Sequence, residues 1–252
     1  MDLKVLVFDE INSTNAYLLE KKMLGEDIAN TVVMARHQTR GRGMGSNSWN
    51  SEPGKNLLFS IALDVPFIRA ENQFVISQAV AVAIAESLEM VTNKPIINKG
   101  DIKIKWPNDI YFGDKKLAGI LIQNSLSGVM MQNTVIGVGI NINQIVFDEK
   151  IPNPISLKII TGEEYDVLSL LYSVSSAIKD YVMRLSDSGW VEKVNDAYIN
   201  KLYRYGEWAY YEFEGVVKSM IMRGFDKFGR LMLSDAEGRS LVCDVKEVKF
   251  VI

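Results

Sequence analysis

Two contrasting patterns meet near Arg204, and their junction limits the folds open to this 252-residue chain. Ahead of it, short Val-, Ile- and Leu-rich runs alternate with stretches of helical period. Behind it, short β-rich pieces are punctuated by Gly206, Gly215, Gly224, Gly229 and Gly238. The expectation is an α+β body over residues 1–204, joined without a flexible linker to a small β-barrel over 205–252.

Within the body, residues 4–8 read as a short strand stopped by Asn12-Ser13-Thr14-Asn15. Residues 16–24 then carry apolar side chains at helical spacing, with Ser13 or Thr14 as the N-cap. Residues 31–35 and 57–63 read as strands, and 72–91 has the clearest helical period. Residues 102–106 alternate Ile-Lys-Ile-Lys-Trp, the period of a half-buried strand. Residues 133–142 (NTVIGVGINI) form a buried strand whose glycines admit a close approach. Helical patterns return over 165–185 and 191–203. No internal repeat is apparent. No run approaches the roughly 18 continuous apolar residues of a membrane helix. The N-terminus turns acidic by Asp9 and lacks a basic start and a cleavage site, so the expected location is cytoplasmic, away from membranes.

Scarce residues exclude several chemistries. Cys243 is the single cysteine, so no intrachain disulfide forms. His37 is the single histidine, which rules out a Cys/His zinc site and leaves a Ser-His-Asp triad one possible base. With 28 Lys+Arg against 31 Asp+Glu, the net charge of −3 argues against an extended nucleic-acid surface.

Four segments carry chemistry-bearing residues. Gly41-Arg42-Gly43-Met44-Gly45 reads either as backbone amides and a guanidinium turned toward an anion, or as a turn with an exposed Arg. No Gly-Lys-Ser/Thr follows, so it is not a Walker loop, and its spacing is wrong for a dinucleotide fingerprint. In Lys105-Trp106-Pro107-Asn108-Asp109, the Asp either binds Mg²⁺ or positions a nucleophile, or simply caps a turn. In Lys115-Lys116-Leu117-Ala118-Gly119-Ile120-Leu121, one lysine points to an anionic substrate or both are solvated. Gly137-Val138-Gly139-Ile140-Asn141 is a ligand-facing edge or tight sheet packing.

Taken in this order and spacing, with Asn12-Ser13-Thr14-Asn15, Gln38-Thr39-Arg40-Gly41-Arg42-Gly43 and Trp49, these segments resemble the biotin–protein ligase family over nearly the whole chain. Gly224-Phe225-Asp226 and Gly229-Arg230-Leu231 extend the resemblance into the tail. It implies a mixed-sheet catalytic domain of the class II synthetase-like type with helices packed on it, followed by an SH3-like barrel. The implied reaction has two steps. Biotin and MgATP give biotinyl-5′-AMP, which then acylates a lysine of a biotin carboxyl carrier protein or domain. By position, Ser13, Thr14, Asn15, Gln38, Arg42, Gly43, Met44, Lys116 and Gly119 would bind biotin. Arg42, Trp49, Asn108, Lys116 and Asn141 would hold ATP, and Lys116, Arg42 and Asp109 would be catalytic. Mg²⁺ would come mainly through the ATP phosphates, with Asp109 as the protein's candidate contact.

The chain departs from the family pattern in two places. Many members read Gly-Arg-Gly-Arg where this chain has Met44, so the Arg expected to help retain the adenylate is missing. Some members carry an N-terminal DNA-binding domain. Here the Ser-Thr-Asn motif starts at Ser13, so the expectation is a ligase that binds no nucleic acid. The resemblance leaves room for a homodimer. A lipoate- or octanoate-transferring relative and a non-catalytic biotin sensor are the rival readings.

Overall fold

The computed structural model describes residues 2–92 and 100–252. A seven-stranded mixed sheet forms the body, in the spatial order β1-β2-β3-β7-β6-β5-β4. Its strands are β1 (Lys4–Ile11), β2 (Thr31–Gln38), β3 (Leu57–Asp64), β4 (Ile102–Lys105), β5 (Asp109–Phe112), β6 (Lys115–Ser127) and β7 (Met130–Ile140). The β1–β2 pair is parallel, and every other neighbouring pair is antiparallel.

Strand parity sorts the core between the two faces. Phe59, Ile61, Ile136 and Val138 join one large apolar cluster with helix α2 (Phe74–Val91) and helix α4 (Val167–Met183). Helix α5 (Ser188–Lys201) also packs against α2. The alternate residues Val33, Ala62 and Val135 point to the other face, where they meet Leu18 of helix α1 (Thr14–Met23). Ser13 caps α1, its hydroxyl accepting from the Ala16 N–H. A short helix, α3 (Leu157–Thr161), capped by Ser156, lies in a stretch the sequence pattern left unassigned.

The helical segment 70–91 is long and apolar enough on average to cross a bilayer, although polar residues such as Gln78, Glu86 and Glu89 interrupt its apolar run. Ile76, Ala79, Val80, Val82, Ala83, Ile84 and Leu88 are nevertheless buried inside the protein. Apolar residues all round this helix are accounted for by its central place between the sheet and α4 and α5.

The C-terminal strands are β8 (Trp208–Phe213), β9 (Val216–Phe225), β10 (Leu231–Ser234), β11 (Ser240–Cys243) and β12 (Lys249–Phe250). They form one antiparallel sheet in the order β11-β10-β9-β8-β12, with β11 and β12 at its opposite ends. The sheet is therefore open, not a closed barrel. Its two successive hairpins share one short construction. Asp226 accepts from the N–H of Phe228 and of Arg230 and pairs with the Arg230 guanidinium. Asp235 does the same with Glu237 and Arg239. Each turn has Asp at its start, a positive-φ glycine fourth (Gly229, Gly238) and Arg fifth. Phe225 binds this sheet to the body, its ring 5.0 Å from Phe74 and 5.5 Å from Tyr198.

Candidate active site

On the α1 face of the sheet, small residues leave a hollow. The side chains that should stand there on β7, β6 and β3 belong to Gly137, Gly139, Gly119 and Ser60. A cavity of about 370 Å³ opens over them. Ser13, Thr14, Asn15, Gln38, Arg42, Gly43 and Met44 line it, with Trp49, Asn108, Asp109, Lys116 and Gly119; of the site residues the motifs had gathered, Asn141 is the one outside it. The glycines of β7 line this space and also give room to the side chains of Asn15 and Trp49, so both readings left open for them keep a basis.

One end of the cavity is polar and uncharged. The Gln38 Oε1 accepts from the Thr14 N–H at 2.8 Å and from its hydroxyl at 3.2 Å. The Thr14 hydroxyl also lies 2.7 Å from that of Ser60, a residue with no motif to mark it. Asn15 donates to the Leu121 carbonyl and to Gln123. Gly137 makes room for Asn15: an added Cβ would stand 2.9 Å from its Oδ1.

The other end is charged. Lys116 Nζ lies 2.7 Å from Asp109 Oδ1, both side chains being mostly shielded from water. The contact is one of charge, without hydrogen-bond geometry. A β-bulge aims Lys116 here. Lys116 and Gly119 would face opposite sides of a regular strand, but the β5–β6 register slips between Ile110 and Tyr111. As a result Lys116 Cε stands only 3.3 Å from where a Gly119 Cβ would be. The Lys116 backbone is pinned by Asn153 and Ile155.

Trp49 forms the lid of this end. Gly119 and Gly139 are direct cross-strand partners, and the indole lies against both. A Cβ on Gly139 would be 2.5 Å from Trp49 Cε2. The Lys116 ammonium sits 5.5 Å from the indole centroid. The glycine-rich loop folds back on itself to deliver Trp49, with Gly43 N–H donating to the Asn47 carbonyl and Trp49 N–H to the Gly41 carbonyl. Gly43's amide is thus already engaged.

Asn141 lies elsewhere. It does not line the cavity, and its side-chain amide donates to the carbonyls of Lys116 and Ile155. It props the strand that carries Lys116. Asn108 donates to the Ile120 carbonyl and ties the β4–β5 turn to β6.

Several lining residues carried no signal of their own. Val245, Val248, Lys249 and Phe250 come from the far end of the chain and reach the cavity only because the C-terminal sheet docks there. Lys105 belongs to a noted motif, yet its inward direction shows only in the β4–β5 register. Among the described residues, four cations line the cavity (Arg42, Lys105, Lys116 and Lys249) against the one carboxylate of Asp109. Such a lining suits an anion, in a chain that is acidic overall. Asn15 Oδ1, Trp49 Nε1 and Asp109 Oδ1 are buried without a hydrogen-bond partner, and all three belong to this cavity's residues. Buried polar atoms of Asn124, Thr134, Tyr198 and Tyr211 share that state outside the cavity.

The model of the biotin/lipoate A/B protein ligase family matches residues 7–141 of this chain. The bifunctional ligase/repressor BirA of Escherichia coli (strain K12) is 33% identical over 149 residues, covering 59% of this chain and 44% of that protein. The biotin–[acetyl-CoA-carboxylase] ligase of Mycobacterium tuberculosis is 32% identical over 138 residues, covering 55% of this chain and 49% of the relative. The matches thus span about half the length of these curated relatives. Among solved structures, the biotin protein ligase from Aquifex aeolicus in complex with biotin and ATP superposes with a TM-score of 0.78 at 25% identity. That match covers 98% of this chain and 99% of the other. Family model, relatives and fold agree, and the chain belongs to the biotin/lipoate A/B protein ligase family.

Proposed function

We propose that the protein is an ATP-dependent biotin–protein ligase, which makes biotinyl-5′-AMP and passes the biotinyl group to a lysine of a biotin carboxyl carrier protein or domain. The observation that carries this reading is the Lys116–Asp109 pair at the charged end of a cavity whose other end offers neutral hydrogen-bonding groups. Thr14, Asn15, Gln38 and Ser13 suit a neutral ureido ring. Lys116 and Arg42 suit the carboxylate and the phosphates it must approach.

In the first step the biotin carboxylate oxygen attacks the α-phosphorus. A C–O–P linkage forms, the P–O bond to the β-phosphate breaks, and pyrophosphate leaves. Two anions must meet, so Lys116 and Arg42 act before reaction by neutralising their repulsion. A preorganised donor of this kind is worth about 3–4 kcal/mol in the transition state. On this reading Asn141 contributes by holding the Lys116 backbone in place, its amide donating to the Lys116 and Ile155 carbonyls. Mg²⁺ comes with the ATP phosphates as part of the substrate. Among the described residues no group of three His, Cys, Asp or Glu side chains could hold a metal. Asp109, the one carboxylate that lines the cavity among the described residues, would be the protein's contact to the ion.

In the second step an acceptor amine attacks the acyl carbon, AMP leaves, and the amine proton passes to Asp109 or to water. The same reading divides the chain into a catalytic domain over 1–204 and a C-terminal domain of SH3-like type over 205–252. Transfer of labelled biotin to a purified carrier domain, with biotin-dependent exchange of pyrophosphate into ATP, tests the proposal. Exchange supported by lipoate and not by biotin would replace it with lipoate transfer.

A further inference from the structure

Of the four cations lining the cavity, Lys105 is placed differently from the rest. Lys116 meets Asp109, and Lys249 meets Glu212 at 2.8 Å. Arg42 sits on an exposed loop. Lys105 is half-buried, and among the described residues no carboxylate forms an ion pair with it. Its ammonium instead lies between two rings, 4.8 Å from the Phe250 centroid and 5.2 Å from that of Tyr111. Aromatic faces attract a cation and restrain it without neutralising its charge.

The sheet register says where this charge points. Lys105 is paired with Asp109, Asp109 with Gly119, and Gly119 with Gly139, so the four form one row across β4, β5, β6 and β7. Along that row the order from the edge inward is Lys105, the Asp109–Lys116 centre, then the glycine floor under Trp49. The neutral end around Thr14 and Ser60 lies further inward, over β3. A substrate seated at the neutral end with its reacting atom at Lys116 would turn its leaving group toward the sheet edge, where Lys105 stands.

We propose that Lys105 is a further phosphate-binding residue of this site, held between Tyr111 and Phe250 to meet the pyrophosphate end of ATP. The inference rests on the ligase reading for the order of groups along the row. Burial depresses the Lys105 pKa, with Lys116 and Arg204 adding to the effect and Asp109 opposing it. A bound phosphate would supply the missing counter-charge. Phe250 comes from β12, so the C-terminal sheet would set the position of a nucleotide-binding group in the body.

Calorimetric titration with magnesium pyrophosphate, MgATP and biotin, each alone, tests this on the full chain. Lys105→Met keeps the packing between the rings and removes the charge. It should weaken pyrophosphate and ATP binding at least tenfold and leave biotin binding within twofold of wild type. Lys105→Arg should recover most of the loss, and Phe250→Leu should weaken pyrophosphate binding about threefold. Unchanged pyrophosphate binding in Lys105→Met would overturn the proposal, as would a wild-type protein that binds no pyrophosphate. If Lys105→Met does not fold, the Arg and Leu variants decide by the same contrast between pyrophosphate and biotin. A wild-type protein that binds pyrophosphate through Lys105 but ligates no biotin would sink the ligase reading and leave this site standing.

Discussion

The indole N–H of Trp106 donates to the carbonyl of Gly229 at 2.8 Å, across 123 positions of sequence. The bond joins the turn that carries Asp109 to the first of the two Asp–Gly–Arg hairpins. Trp106 is only 2% exposed, so the Gly229 carbonyl has little access to water as a substitute partner. Trp106→Phe should cost about 1–3 kcal/mol through that carbonyl, with some packing loss added. Urea denaturation measures it; an unchanged midpoint would mean that the bond holds nothing together.

Gly139→Ala should be destabilising by about 1–3 kcal/mol, because the new methyl overlaps the Trp49 indole. The cause is specific, so the cost should largely vanish in a Trp49→Ala background. A double-mutant cycle read by thermal melting reports that coupling. Equal costs in both backgrounds would place the strain in the strand and not under the indole.

On the proposed ligase reading, Lys116→Ala should slow adenylate formation by about 10²- to 10³-fold, the usual range for losing one preorganised donor. Biotin-dependent pyrophosphate exchange gives the rate of that step directly. Asn141→Ala should lower the same rate less, since it acts on Lys116 through the backbone. Exchange at the wild-type rate in Lys116→Ala would remove the lysine from the mechanism.

Cys243 is buried, and that burial pushes its thiol up to about 11, with Glu247 and Asp244 adding to the effect. An unfolded cysteine titrates near about 8.5. The folded pKa is the higher of the two. The stability this group contributes is therefore complete below about pH 8.5 and is lost as pH rises toward 11. The urea midpoint should fall over that range more steeply in wild type than in Cys243→Ala. At pH 8, iodoacetamide should label Cys243 only after unfolding; rapid labelling of the native protein would contradict the burial.

What the sequence made legible follows from how local each cause is. Ser13 caps α1 because its hydroxyl meets an N–H three residues on, a relation visible in the order of residues. The Ile-Lys-Ile-Lys alternation of β4 is equally local. The aim of Lys116 is not, since it depends on a bulge that appears only when β5 and β6 pair. Asn141 sits within a motif shared with the family, yet which carbonyls it meets depends on the return of residues 153–155 along β6. Val245 and Phe250 could not be found from the sequence at all, because their part in the cavity is made by one sheet docking on another. The Asp–Gly–Arg turns were readable, but each is too short to register as a repeat.

Four cations gathered in one cavity of a chain with net charge −3 give the protein two fields of opposite sign. Far from the surface, an approaching polyanion such as the proposed nucleotide meets the net negative charge and is slowed. Within a Debye length of about 8 Å at physiological ionic strength, it meets the cavity's own potential. Salt screens the outer field first. Raising ionic strength from very low values should therefore speed the encounter before it begins to weaken the grip, the reverse of the usual order for a protein that captures polyanions.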